Sequence, residues 1–165
     1  MKRIFSIILV LAPLAALTQP AYDSSKLSPL VKALSSKIDS CTRGNWYYHC
    51  NFTSELKLLG QRAKIYELRQ LVNHPNPFVR LNTFSLLLDS ACPAFVDILE
   101  EHINDTASVY LWSGHDAEPT NVIEGMIILL SYNTGWIGMK EFAEADEKRL
   151  SDLIDLVSRR KNHSE

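Results

Sequence analysis

The sequence has little of the residues that mark unusual classes of protein chain. Its 165 residues include six Gly, seven Pro and three Cys. That is too little Gly and Pro for a collagen-like or low-complexity chain. With 46% apolar and 22% charged residues, it also differs from intrinsically disordered chains, which carry more charge and fewer large apolar side chains. These values are typical of one ordinary globular domain.

The common signatures of catalysis and cofactor binding are also absent from the sequence. It has no Gly-x-Ser-x-Gly elbow, no Gly-x-x-x-x-Gly-Lys-Ser/Thr loop, no Cys-x-x-Cys pair and no His-x-x-x-His pair. The best candidate for acid–base or metal chemistry is the group His115, Asp116 and Glu118, which a polar turn explains as well. We expect a protein that is not an enzyme and holds no metal or cofactor. The alternative is a small exported hydrolase or metal-dependent enzyme that uses this group.

No apolar run in the sequence reaches the length of about 20 residues that a membrane-spanning helix needs. The apolar stretch from Ile4 to Leu17 follows the basic pair Lys2-Arg3 and is interrupted by Pro13. This pattern is typical of a secretory signal peptide, with an uncleaved anchor as the alternative. We therefore predict that residues 1–18 are removed and that 19–165 form a single helical domain, exported to the periplasm or the extracellular space.

Positive charge is sparse in the predicted mature chain. Removal of Lys2 and Arg3 leaves 15 basic residues against 19 acidic ones, a net charge of −4. Nucleic-acid binding depends on Lys and Arg that neutralise phosphates, and the one basic cluster along the sequence, Arg159 to Lys161, is typical of a solvated helix end. We expect no nucleic-acid partner.

The three cysteines are interpreted through the predicted compartment, because an oxidising environment favours disulfides. Cys41 and Cys50 flank a short loop in which Gly44 and Asn45 can reverse the chain. The spacing predicts a Cys41–Cys50 disulfide. Cys92 is left over, either buried as a free thiol or paired with a partner chain.

Apolar residues recur mostly at spacings of three and four, which predicts an all-α fold. Asn76 is expected to be the N-cap of a helix whose first residue is Pro77. The short β-prone run from Val109 to Trp112 is interpreted as part of an irregular loop over 106–119. The predicted helices cover residues 28–40, 54–72, 77–89, 92–103, 121–131 and 139–160.

Residues 71–88 carry a resemblance to a known family. A Pro/Asn turn precedes the pair Val79-Arg80 and an apolar helix, and a second helix follows from Cys92. This resembles one HEAT repeat over about residues 71–105. The resemblance implies structural roles for Pro77, Val79 and Arg80, with Arg80 bracing the turn between units. It implies a short HEAT-like α-solenoid, and an irregular helical bundle with antiparallel helix pairs is the alternative.

Two groups of aromatic residues are the best candidates for a binding surface. Aromatic side chains are enriched in interface hot spots because they bury a large area at a small cost in entropy. Packing in the core is the alternative. We predict an exported, non-enzymatic protein-interaction module whose partner is another protein, bound at the concave face or through the aromatic loops. The residues concerned are Trp46, Tyr47 and Tyr48 between the paired cysteines, and Tyr110 and Trp112 in the loop.

Overall fold

The computed structural model describes residues 20–42, 53–90, 94–113, 116–136 and 144–161. The predicted all-α class is confirmed, because antiparallel helix pairs make up most of the described chain. None of the described helices is both long enough and apolar enough to cross a membrane. In chain order the elements are a 3-10 turn Ser24–Lys26, α1 (Pro29–Thr42), α2 (Thr53–Arg62), α3 (Ile65–Leu71), α4 (Pro77–Asp89), α5 (Phe95–Glu101), β1 (Ser108–Ser113), β2 (Asp116–Asn121), α6 (Val122–Trp136) and α7 (Glu144–Lys161).

Helix α4 is the centre of the core. It packs against α1, α3 and α6, and Phe84 and Leu87 are completely buried. The predicted start of this helix is confirmed. The side-chain oxygen of Asn76 accepts the Phe78 N–H at 2.9 Å, and Pro77 is the first helical residue, where its missing N–H is not needed.

The single helix predicted over 54–72 is in fact two helices. Helix α2 ends at Arg62, and α3 begins at Ile65 with Lys64 as its N-cap. The Glu67 carboxylate accepts the Lys64 N–H at 2.9 Å, which is one half of a capping box at a new helix start. Apolar spacing alone continues across this break, so the periodicity did not reveal it.

The irregular loop predicted over 106–119 is wrong. Strands β1 and β2 form an antiparallel hairpin in which Tyr110 pairs with Pro119 and Ser113 with Asp116. The Ser113–Asp116 pair closes a two-residue loop and is therefore a hydrogen-bonded pair. Hydrogen-bonded and non-hydrogen-bonded pairs alternate along an antiparallel ladder, so Tyr110 and Pro119, three pairs further along, form a non-hydrogen-bonded pair. Proline fits this position because its missing N–H would have pointed away from the partner strand.

The hairpin is attached to the helical core by one face and by its base. Val109 is buried, and β1 packs against α4 and α6. At the base, the Val122 N–H donates to the Ala107 carbonyl at 3.1 Å and the Ile123 N–H donates to the Asp105 carbonyl at 3.2 Å. The two bonds join the start of α6 to the segment between α5 and β1.

Helix α6 packs against α4 and against both strands of the hairpin. Gly125 lets α6 approach α4 closely, since a Cβ at this position would lie 3.0 Å from Leu81 Cδ1. Helix α6 continues to Trp136, five residues beyond its predicted end at Ser131. Helix α7 packs against α5, where Arg149 forms ion pairs with Asp97 and Glu100.

Candidate functional site

A buried ion pair connects the turn before α4 to the turn after α5. Arg80 Nη1 donates to the carbonyl oxygens of His74 at 2.7 Å and Pro75 at 2.9 Å. Its Nη2 donates to Asp105 Oδ1 at 2.9 Å, and its Nε lies 2.8 Å from Asp105 Oδ2. The two side chains are only 8% and 3% exposed. Arg80 therefore joins the turn at His74 and Pro75 to the turn at Asp105, which lies 25 residues after Arg80 in the sequence.

Asp105 is held by more than this arginine. His102 Nδ1 lies 3.2 Å from its Oδ2, and the Ala107 N–H donates to its Oδ1. Burial by itself would raise the pKa of Asp105, but the hydrogen bonds from His102 and Arg80 outweigh it and hold the pKa below its ordinary value. The carboxylate is thus ionised, and these contacts use it to fix the turn from which the hairpin begins.

Asn76 is the centre of a second buried polar cluster. Its Nδ2 donates to Asp39 Oδ1 at 2.9 Å and to Thr42 Oγ1 at 2.7 Å, while its backbone N–H donates to His74 Nδ1 at 3.1 Å. The ring of Tyr22 meets His74 edge-on at 4.8 Å. Burial, together with the charge of Asp39, raises the pKa of Tyr22. This cluster attaches the N-terminal segment and the end of α1 to the start of α4.

Among the predicted partner-binding residues, Tyr110 is the one whose side chain lies in the described part of the structure. It is 45% exposed and lies in β1, between the buried Val109 and the half-buried Leu111. Trp112 follows in the same strand, opposite Ala117, and its side chain is outside the described part. The remaining aromatic candidates, Trp46, Tyr47 and Tyr48, also lie outside the described residues.

One of the three cysteines, Cys41, lies in the described part of the structure. Cys41 lies in the last turn of α1 and is disulfide-bonded. Cys50 and Cys92 lie outside the described residues. The pairing of Cys41 with Cys50 therefore stays a prediction.

The candidate acid–base group is only partly within the described structure. His115 lies outside it, Asp116 is the first residue of β2, and Glu118 is exposed opposite Leu111. Within the described residues, no group of three or more His, Cys, Asp or Glu side chains could hold a metal ion. The enzymatic alternative stays an untested prediction.

Sequence reasoning did not single out His102 and Asp105. Their spacing of three residues at the end of a helix was the available signal, because such residues lie on the same side of a helical turn. The same sequence segment gave no indication that Arg80, 25 residues earlier, would meet them. That contact depends on how α4 and α5 are placed in three dimensions.

The comparisons with known proteins identify no relative. No protein-family model, no curated protein and no solved structure matches this chain. A function must therefore be argued from the geometry and sequence of the chain itself.

Proposed function

We propose that this protein is an exported, non-enzymatic binding protein that recognises another protein through the outer face of the β1–β2 hairpin. The observation that carries the proposal is the position of Tyr110, a large aromatic side chain that is 45% exposed on a hairpin whose other face is packed on the core. Exposed Tyr on a well-ordered element is typical of binding hot spots.

The anchoring of the hairpin supports this proposal. Its base is fixed by the hydrogen bonds of Val122 and Ile123, and the segment before β1 is held by the ion pair between Arg80 and Asp105. A surface that is already ordered loses less conformational entropy when a partner binds. We infer that the buried pair of Arg80 and Asp105 serves to hold the hairpin in a binding-competent position.

The proposed cellular location depends on the sequence. The basic and apolar N-terminal stretch is typical of a signal peptide, and a disulfide at Cys41 is suited to an oxidising compartment. We also propose that residues 71–105 are HEAT-like, with Arg80 in the bracing role that the resemblance implies; the helices packed against α4 are α1, α3 and α6. The contacts of Arg80 with the turn before α4 support this assignment.

A pair of tyrosine variants tests the binding proposal. The partner is first recovered from the native exporting cell and identified by mass spectrometry, and its affinity is then measured for the wild type, Tyr110→Ser and Tyr132→Ser. Tyr132 is a matched control because it is 59% exposed and belongs to α6 rather than to the hairpin. We expect Tyr110→Ser to weaken binding at least about tenfold, which corresponds to about 1.4 kcal/mol, with little change in melting temperature.

Two outcomes would contradict the proposal. If Tyr132→Ser weakens binding as much as Tyr110→Ser, the hairpin is not the recognition surface. If Tyr110→Ser lowers the melting temperature strongly and leaves the affinity of the folded fraction unchanged, the ring has a structural role.

A further inference from the structure

In one part of the described structure, most acidic side chains are buried while most basic side chains are exposed, although the two kinds are mixed along the sequence. The part that contains α1, α2 and α3 has four acidic residues among those described; Asp39, Glu55 and Glu67 are buried, and Asp23 is half-buried and pairs with Lys26 at 3.8 Å. The basic residues of the same part lie at the surface. They are Lys26, Lys32, Lys37, Lys57, Arg62 and Lys64, which are exposed, and Arg69, which is half-buried.

Three apolar side chains project from this basic surface. Leu30 is 46% exposed, Ile65 47% and Tyr66 53%. Leu30 lies in the first turn of α1, and the other two are the first two residues of α3. Single exposed apolar residues need no explanation, but three in adjoining turns suggest a contact surface.

Glu67 brings these turns together. Its buried carboxylate accepts the Ser28 N–H at 2.7 Å on one oxygen and the Lys64 N–H at 2.9 Å on the other. The residues just before α1 and just before α3 are therefore joined by a single side chain. Hydrogen bonds from both backbone N–H groups overcome the effect of burial and keep the pKa of Glu67 below its ordinary value. The Glu67 carboxylate is therefore ionised at neutral pH.

Four exposed cationic side chains lie near the apolar ones along the sequence, and one of them is in contact with an apolar residue of the group. Lys26 and Lys32 lie on either side of Leu30 in the sequence, and Arg62 and Lys64 come directly before Ile65. Lys64 Nζ lies 5.8 Å from the centre of the Tyr66 ring, close enough for a cation–π contact. We call this surface the basic corner. It consists of Leu30, Ile65 and Tyr66 with Lys26, Lys32, Arg62 and Lys64.

We propose that the basic corner binds the surface of an anionic lipid membrane. Lysine side chains attract anionic headgroups, and the three apolar side chains reach the boundary between headgroups and acyl chains, as in peripheral proteins that lie on a membrane. Protein interfaces are depleted of Lys, whereas three of the four cations here are Lys. The composition of the basic corner therefore favours a lipid surface over a protein partner.

A second copy of this chain is the less suitable occupant. The acidic residues of α5 and α7 would have to provide the complementary charge, but Arg149 already forms ion pairs with Asp97, Glu100 and Asp146. Arg159 pairs with Asp155 in the same helix, α7. The carboxylates around Arg149 are already engaged in ion pairs within each molecule, so a second copy would have to compete with Arg149 for them.

The test is vesicle binding by the full domain in the form recovered from the exporting cell. We expect co-sedimentation with vesicles of phosphatidylglycerol and phosphatidylcholine in equal parts, loss of binding at high salt, and no binding to pure phosphatidylcholine. Lys32→Gln/Lys64→Gln should lower the partition coefficient by about 25-fold, since each Lys near an anionic surface contributes about fivefold. The control Lys148→Gln/Arg159→Gln has the same net charge, alters exposed residues of α7 and should bind as the wild type does.

A further variant tests insertion rather than charge alone. Ile65→Ser keeps every cation and should weaken binding to the mixed vesicles several-fold without lowering the melting temperature, because Ile65 is exposed. The proposal is wrong if the wild type does not bind the mixed vesicles, or if the α7 control loses as much affinity as the corner variant. It is also wrong if the corner substitutions instead dissociate a salt-sensitive oligomer in the absence of lipid. None of these results bears on the role of Tyr110.

Discussion

Replacing Arg80 by Met should remove a large part of the stability of this domain. Asp105 would be left ionised and buried at 3% exposure, and two backbone carbonyls would lose their donor. Removing one partner of a buried ion pair typically destabilises a protein by about 3–5 kcal/mol. Domains of this kind have about 5–15 kcal/mol in total, so the variant should be close to unfolding at moderate urea concentrations.

A double-mutant cycle separates the ion pair from other effects of the substitution. Urea unfolding of Arg80→Met, Asp105→Asn and the double variant gives the three free energies that the cycle needs. The double variant should be much more stable than the sum of the single losses predicts. Additive losses, agreeing within about 0.5 kcal/mol, would refute this account of the pair. Arg149→Met is the control, since its ion pairs are solvent-exposed and its loss should be far smaller.

The pH dependence of stability tests the same site independently. The pKa of Asp105 is lower in the folded protein than its ordinary value of 3.8. The ionised side chain therefore contributes stability above about pH 4, and this contribution is lost as the pH falls through the folded-state pKa. The urea midpoint of the wild type should fall more steeply below pH 4 than that of Asp105→Asn. Parallel curves would show that Asp105 is not the group concerned.

Three further changes have defined outcomes. Glu67→Gln should reduce stability by about 1–3 kcal/mol in urea unfolding, because an amide cannot accept both of its N–H donors well, whereas exposed Glu118→Gln should change little. Phe84→Ala should cost about 3–5 kcal/mol, and a loss below about 1 kcal/mol would contradict its burial at the centre of the core. Non-reducing peptide mapping of the exported protein should find Cys41 linked to Cys50, and two free thiols would refute that pairing.

The sequence predicts the helices best where local chemistry and apolar spacing agree. Asn76 and Pro77 define the start of α4 because capping and the fixed φ of proline act within a few residues. The spacing of Leu30, Val31, Leu34 and Ile38 predicts the apolar face of α1, and the last three are buried, whereas Leu30 is 46% exposed.

The prediction fails where the decisive contacts join distant parts of the chain. The break between α2 and α3 depends on Glu67, which also binds Ser28 from a segment 39 residues earlier. The hairpin was missed because the β-prone run from Val109 to Trp112 is only four residues long, and its partner strand, Asp116–Asn121, has no apolar alternation to reveal it.

The candidate site was predicted only in part for the same reason. Tyr110 could be identified as a candidate from its aromatic residue type, and its exposure became known only from the structure. The ion pair between Arg80 and Asp105, which fixes the segment before the hairpin, became visible only when α4 and α5 were placed together. The basic corner is another example, since its residues span 26 to 66 and the acidic residues between them are removed from the surface by burial.

The central claim is that the hairpin face around Tyr110 is the recognition surface, and site-directed photo-crosslinking tests it most directly. A photoreactive phenylalanine analogue is placed at position 110, and at 132 as the control, and the native exporting cell is irradiated. The account predicts one dominant protein crosslinked from position 110 and little from position 132, as identified by mass spectrometry. Equal crosslinking from both positions, or none from position 110 while the protein remains folded, would contradict it.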